Sequence, residues 1–136
     1  MRERLLPFLD NGQTRTLCST EVQDVGFNEC TGEMLEQAKH NIAEYIEFAG
    51  TPEYFDETVL MLKDRLGWKN VFYTPRNVTR ARPRADDQPQ STLDVIREHN
   101  QLDIELHRFV AARIEAQVVD AGSSCQSRLK RFSATN

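Results

Sequence analysis

Residues 51–84 read TPEYFDETVLMLKDRLGWKNVFYTPRNVTRARPR. The first half spells a helix with both ends marked. Thr51 stands at the N-cap, Pro52 takes the first helical position, and Glu53 puts an acid where the positive end of the helix dipole favours one. Phe55, Val59, Leu62 and Leu66 recur at helical spacing, and this stripe is predicted to be buried. Gly67 stops the helix, with Lys63 and Arg65 in its last turn. Trp68 is then placed to pack back on the helix end, and Val71-Phe72-Tyr73 leads onward as a short extended piece.

The second half, Lys69 to Arg84, changes character. It holds five basic residues (Lys69, Arg76, Arg80, Arg82 and Arg84) and no acidic one. The chain has 17 basic and 21 acidic residues, which leaves 12 basic against 21 acidic everywhere else. A local charge of +5 thus sits in a chain that is otherwise −9. Pro75 and Pro83 keep the segment out of a helix interior. The reading is an irregular loop whose arginines and open backbone N–H groups hold an anion. The same residues also read as a solvated basic loop.

Outward from this centre, the N-terminal side gives a helix from Gly32 into the mid-forties, capped by Thr31, with Leu35, Ala38 and Ile42 on its apolar face. The alternation of Ile46, Glu47 and Phe48 predicts a short strand ending at Gly50. Residues 1–30 read as an irregular lead-in. Arg2–Leu9 could form a turn of helix broken by Pro7, Asp10-Asn11-Gly12 is a turn, and residues 21–30 are loop. The abrupt start reads as the tail of something longer. On the C-terminal side, Asp86–Gln90 is a linker and Ser91 or Thr92 caps a third helix reaching about Glu98. Asn100 caps a fourth helix or kinks one long helix. Leu102, Leu106, Phe109, Val110 and Ile114 form its core stripe. Residues 31–120 make up the main region, and residues 121–136 read as a flexible tail whose Arg128, Lys130 and Arg131 are solvated.

At 136 residues, 39% hydrophobic and 28% charged, the chain reads as one modest globular domain. No apolar run reaches the roughly 20 residues a membrane helix needs, and the interrupted start MRERLLPFLDNG is not a signal peptide. The net charge of −4 argues against general nucleic-acid binding. Cys18, Cys30 and Cys125 lack CxxC spacing and read as reduced thiols, so no metal site is expected. His40, His99 and His107 fall in predicted helices as ordinary helix residues. Asn77-Val78-Thr79 is a glycosylation triplet, read as unused. Gln13 and Arg15 read as ligand contacts or as structural residues at a helix start, and Asp103 and Glu105 as solvated charges.

Four blocks in order carry a family resemblance. They are Asp10-Asn11-Gly12-Gln13-Thr14-Arg15-Thr16-Leu17, then Asn41–Gly50 followed by Glu53 and Leu66-Gly67-Trp68, then Asn77-Val78-Thr79-Arg80-Ala81, and last Ile96–Asn100 with Leu102–Leu106. Together, over residues 10–118, the chain resembles the C-terminal portion of carbohydrate sulfotransferases, the Golgi heparan-sulfate type and their bacterial relatives. The resemblance implies an α/β fold, of which this chain is the C-terminal, mostly helical part of a P-loop nucleotide-kinase-like sulfotransferase. It implies transfer of a sulfuryl group from 3′-phosphoadenosine 5′-phosphosulfate to a carbohydrate hydroxyl.

By the same resemblance, Thr74, Pro75, Arg76, Thr79, Arg80 and Ala81 lie over the nucleotide end of the donor. Arg80, with Arg76, holds its 3′-phosphate or adenine side, a task suited to guanidinium forks. The sequence departs from the family pattern in lacking a GxxxxGK-like loop. It also has Tyr45, Glu47 and Thr51-Pro52 at positions filled differently in the relatives, which bears on local packing. The catalytic base and the phosphosulfate loop are expected upstream, so no residue here is assigned to catalysis. The chain therefore reads as a fragment, a truncated frame or one piece of a split enzyme, with a carbohydrate acceptor and a missing N-terminal half or self-association as partners. Its compartment reads as cytoplasmic for this chain, or Golgi for a longer eukaryotic form. A non-catalytic helical interaction module derived from the scaffold is the alternative.

Overall fold

The computed structural model describes residues 9–18, 25–73, 84 and 87–133. Its described elements are α1 (Gly12–Leu17), α2 (Gly32–Glu44), a 3₁₀ turn (Pro52–Tyr54), α3 (Phe55–Arg65), α4 (Gln90–His99), α5 (Gln101–Asp120) and α6 (Gly122–Ser133). Two units divide the chain: residues 1–47 with 81–108, and residues 48–80 with 109–136. No described helix is long and apolar enough to cross a membrane.

In the first unit, α2 begins where the cap predicts. Thr31 is extended, and its Oγ1 accepts the Met34 N–H at 3.4 Å. Leu35, Ala38, Asn41 and Ile42 form its buried face, which packs on α1. Asn41 is the polar member of that face. Its Nδ2 donates to the Leu17 carbonyl at 2.8 Å and so satisfies an orphan acceptor at the end of α1. Lys39 bridges α2 to α5 through Glu105 at 2.7 Å.

α1 is too short to persist alone, and its start is held from far along the chain. The Asp103 carboxylate accepts the Gln13 N–H (3.0 Å), the Thr14 N–H (2.7 Å) and the Thr14 hydroxyl (2.8 Å). In return, Asn11 Oδ1 accepts the N–H groups of Leu102 (2.9 Å) and Asp103 (3.1 Å) at the start of α5. Each helix thus takes its N-cap from the other. Asn11 adopts a left-handed conformation (φ 49°, ψ 46°) to do so, a region that Asn tolerates better than most residues. Asn100 separates α4 from α5 and ties the joint: its Oδ1 accepts the Asn11 N–H (3.2 Å) and its Nδ2 donates to the Ile96 carbonyl (2.8 Å). Asp103 is therefore a capping residue and not the solvated charge expected from its position. Removing either cap costs about 1–2 kcal/mol. Because the two interlock, Asn11→Ala and Asp103→Ala together should cost less than the sum of the singles. A double-mutant cycle by urea unfolding checks this, and strict additivity would refute the reciprocal arrangement.

In the second unit the predicted helix at 55–66 is present, with two differences. Thr51 is extended as a cap should be, yet its side chain makes no cap bond, and its buried Oγ1 has no partner among the described residues. A 3₁₀ turn intervenes instead, with Tyr54 N–H donating to the Thr51 carbonyl at 3.1 Å. The buried face is also rotated. Leu60 is the buried residue of α3, whereas Phe55 and Leu66 are about half exposed. The cause is α6, which packs on α3 and occupies the stretch expected as a frayed tail after Asp120. Arg128 of α6 forks onto the Asp64 carboxylate, one arm at 2.8 Å. α3 closes as predicted at Gly67, whose φ of +66° favours glycine. The Trp68 and Gly67 N–H groups turn back to the Lys63 and Asp64 carbonyls at 2.9 and 3.4 Å.

Ile46–Gly50 is not a strand. Burial alternates there, with Ile46 and Phe48 half-buried and Glu47 exposed, but no strand stands beside it among the described residues. A strand is defined by its ladder partner, which the period of two does not supply. Leu106, Val110 and Ile114 of α5 are buried as their spacing predicts.

Candidate functional site

The residues expected at the nucleotide, Thr74, Pro75, Arg76, Thr79, Arg80 and Ala81, lie outside the described residues, as does the Asn77 glycosylation triplet. The structure describes the two ends of this basic segment. At its entry, Lys69, Asn70 and Phe72 are exposed, and Val71 and Tyr73 are half-buried. Tyr73 anchors the entry. Its hydroxyl donates to the Asp56 carboxylate, and its ring lies edge-on to Phe55 at 5.0 Å between centroids and tilted against Phe132 at 6.1 Å. The bond to Asp56 raises the Tyr73 phenol above its ordinary range, because an ionised phenol would face a carboxylate. At the exit, the Arg84 N–H donates to the Asp87 carboxylate at 2.8 Å, a short turn that leaves the guanidinium on the exposed side.

The other residue weighed as a ligand contact is accounted for structurally. Arg15 is wholly buried and paired with Asp10. Its Nε donates to the Asp10 carbonyl (2.7 Å), Nη1 to Val25 (2.7 Å) and Nη2 to Gly26 (2.7 Å). Asp10 also accepts the Asn28 N–H at 2.7 Å, with Asn28 left-handed at φ 64°. The pair therefore fixes the loop at 25–28 and presents no donor to a ligand on the side where these bonds are made. Gln13 is exposed, and its N–H belongs to the Asp103 cap.

His99 closes the same corner, its Nδ1 2.8 Å from Asn28 Oδ1 and its ring 5.0 Å from Phe27. Burial pushes the Cys30 thiol up, with Arg15 pulling the opposite way, so the thiol stays protonated and is a poor nucleophile. Among the described residues no cluster of histidine, cysteine and carboxylate side chains could hold a metal ion.

The sequence reading missed one grouping of cations. Lys63 reads as a partner of the helix dipole and Arg128 and Arg131 as a solvated tail, but α3 and α6 bring all three to one cleft. The available signal was the spacing of Arg128, Arg131 and Phe132, which share a face of any helix formed there. The Arg128 fork holds the Asp64 carboxyl below its usual range, with Lys63 adding to the effect.

No protein-family model matches the chain, and no curated protein or solved structure matches it.

Proposed function

We propose that this chain is the C-terminal, donor-binding part of a carbohydrate sulfotransferase with a nucleotide-kinase-like α/β fold. In this reading it takes the nucleotide end of 3′-phosphoadenosine 5′-phosphosulfate on the segment 74–81, and the sulfuryl group passes to a sugar hydroxyl. One observation carries the reading: an ordered set of four family-like blocks whose third member sits in the stretch from Lys69 to Arg84, which holds five basic residues and no acidic one. The interlocking caps support it, because Asn11 of the first block and Asp103 of the fourth, more than 90 residues apart, bond directly. Arg80 and Arg76 supply guanidinium forks for phosphate oxygens, and Thr79 adds a hydroxyl. Thr74, Pro75 and Ala81 belong to the same nucleotide-facing segment by the resemblance. Sulfuryl transfer needs placement and charge stabilisation above all. This lobe contributes the placement, and the reacting groups are expected on another part of the enzyme.

Calorimetric titration with 3′-phosphoadenosine 5′-phosphate tests the reading. The folded chain should bind it, and Arg80→Ala should weaken binding about tenfold or more, the usual cost of losing a charged hydrogen bond. A folded chain that does not bind the nucleotide would overturn the assignment. It would favour the second reading, a non-catalytic helical interaction module, which one feature supports: α4 buries none of its residues and leaves Val95 and Ile96 about half exposed.

A further inference from the structure

Asn-Gly occurs once in the sequence, at Asn11-Gly12. Such a pair is open to a reaction of the chain on itself. The Gly12 backbone nitrogen attacks the Asn11 side-chain amide carbon, and a five-membered succinimide closes as ammonia leaves with the nitrogen's proton. Water then opens either carbonyl of the ring and gives aspartate or isoaspartate at position 11. One water is consumed, one ammonia is released, and nothing is oxidised or reduced. Glycine permits the attack because it has no side chain to crowd the nitrogen and lets the backbone turn. Asparagine is a thermolabile residue in this sense.

The fold holds the pair in a shape that cannot react. Asn11 has ψ 46°. Its Cβ then lies nearly opposite the Gly12 nitrogen about the Cα–C bond, whereas ring closure needs the two on the same side. The side-chain amide is also fixed at both ends. Oδ1 accepts the Leu102 and Asp103 N–H groups at 2.9 and 3.1 Å, and Nδ2 donates to Asp10 Oδ1 at 2.8 Å. The two N–H donors polarise the carbonyl and would assist an attack, but the nitrogen is turned away from it. Bringing the nitrogen round pulls Gly12 out of α1. It also breaks the bond from the Arg15 N–H to the Asn11 carbonyl (3.0 Å) and disturbs the Asp103 cap on Gln13 and Thr14. Asn11 is 6% exposed, so water must enter as well.

We propose that Asn11-Gly12 is a deamidation site gated by the joint between α1 and α5, reacting only in molecules whose joint has opened. The product does not fit the closed joint. Aspartate at position 11 replaces the Nδ2 donor by an oxygen, so two carboxylates meet where Asp10 is already buried. Isoaspartate adds a methylene to the main chain at the point where α1 starts. Opening is thereby recorded covalently, and a chain that has reacted recloses less well. The site stands apart from residues 74–81 and from the nucleotide assignment above.

Peptide mapping and amide hydrogen exchange on the full chain test this. Trypsin cuts after Arg4 and Arg15, so the fragment Leu5–Arg15 carries the pair. Chromatography with mass spectrometry separates its asparagine, aspartate and isoaspartate forms. At neutral pH the wild type should convert about tenfold or more slowly in buffer than in unfolding urea, the ratio reporting the equilibrium for local opening. Below the unfolding transition, the rate should climb with urea in step with exchange of the Leu102 and Asp103 N–H groups, which share the opening. Asp103→Ala should react about fivefold or more faster than wild type in buffer, because one cap is gone, and at the same rate in urea. If that variant loses helical circular dichroism, the graded urea series on the wild type carries the test. Equal rates in buffer and in unfolding urea, or no conversion in urea, overturn the proposal. So does a rate that does not follow exchange at Leu102 and Asp103, or a folded Asp103→Ala that reacts no faster than wild type.

Discussion

Arg15→Ala should lower the unfolding free energy by about 3–5 kcal/mol, the usual cost of removing one partner from a buried ion pair. The magnitude follows from what the substitution strands. Asp10 is 2% exposed and would lose its counter-ion, and the Val25 and Gly26 carbonyls would lose their donor. Against a typical stability of about 5–15 kcal/mol, such a loss brings the chain close to unfolding. Arg15→Lys should rescue little, because an ammonium cannot reach the directions the guanidinium fork serves. Urea unfolding of both variants checks this, and a loss below about 1 kcal/mol in Arg15→Ala would show that the pair is dispensable.

Ile42 offers the largest effect from packing alone. It is 2% exposed on the face of α2 that meets α1, beside Leu35 and Ala38. Ile42→Ala should cost about 2–5 kcal/mol through lost transfer free energy and the cavity left behind, and Ile42→Val about 0.5–1.5 kcal/mol. The graded pair separates burial from backbone effects. Equal losses in the two variants would mean that the site relaxes around the deletion and that α2 is not rigidly seated.

What the sequence made legible was local. Thr31, the run Leu35-Ala38-Ile42, Gly67 and the stripe Leu106-Val110-Ile114 each carry their signal within a turn or two, and each behaves as read. Asp103 reads as a solvated charge because its partners lie far along the chain. Arg15 reads two ways although its partners are only 5 to 11 positions away, since they follow no helical or strand period. Asp103 caps residues 89 and 90 positions away, and no window around Asp103 contains that information. The buried face of α3 was misassigned for a related reason. Its own periodicity allows more than one face inward, and the choice falls to α6, whose weak pattern in GSSCQSRLKRFS reads as a tail until Arg128 meets Asp64. The strand at 46–50 failed in the opposite sense: the local alternation is real, but pairing is a property of two segments. For the candidate site, the excess of positive charge was plain in composition. The cleft at Lys63, Arg128 and Arg131 was not, because it joins residues from two helices 65 positions apart between Lys63 and Arg128.

The order in which the chain contributes to its two units has a bearing on synthesis at the ribosome. Segments alternate: first unit, second unit, first again, second again. α1 emerges early but has no cap until Asp103 follows it out, and α3 waits for α6. Folding from the N-terminus as a self-contained piece is the common route for chains made of successive domains. Here that route is closed, since loops between contacts 90 positions apart in the first unit and 64 positions apart in the second must be drawn shut before each unit is whole. Such closure slows folding more than it weakens the final state. The growing chain therefore keeps the apolar face of α3 uncovered until α6 has been made, and the start of α1 uncapped until Asp103 has followed it.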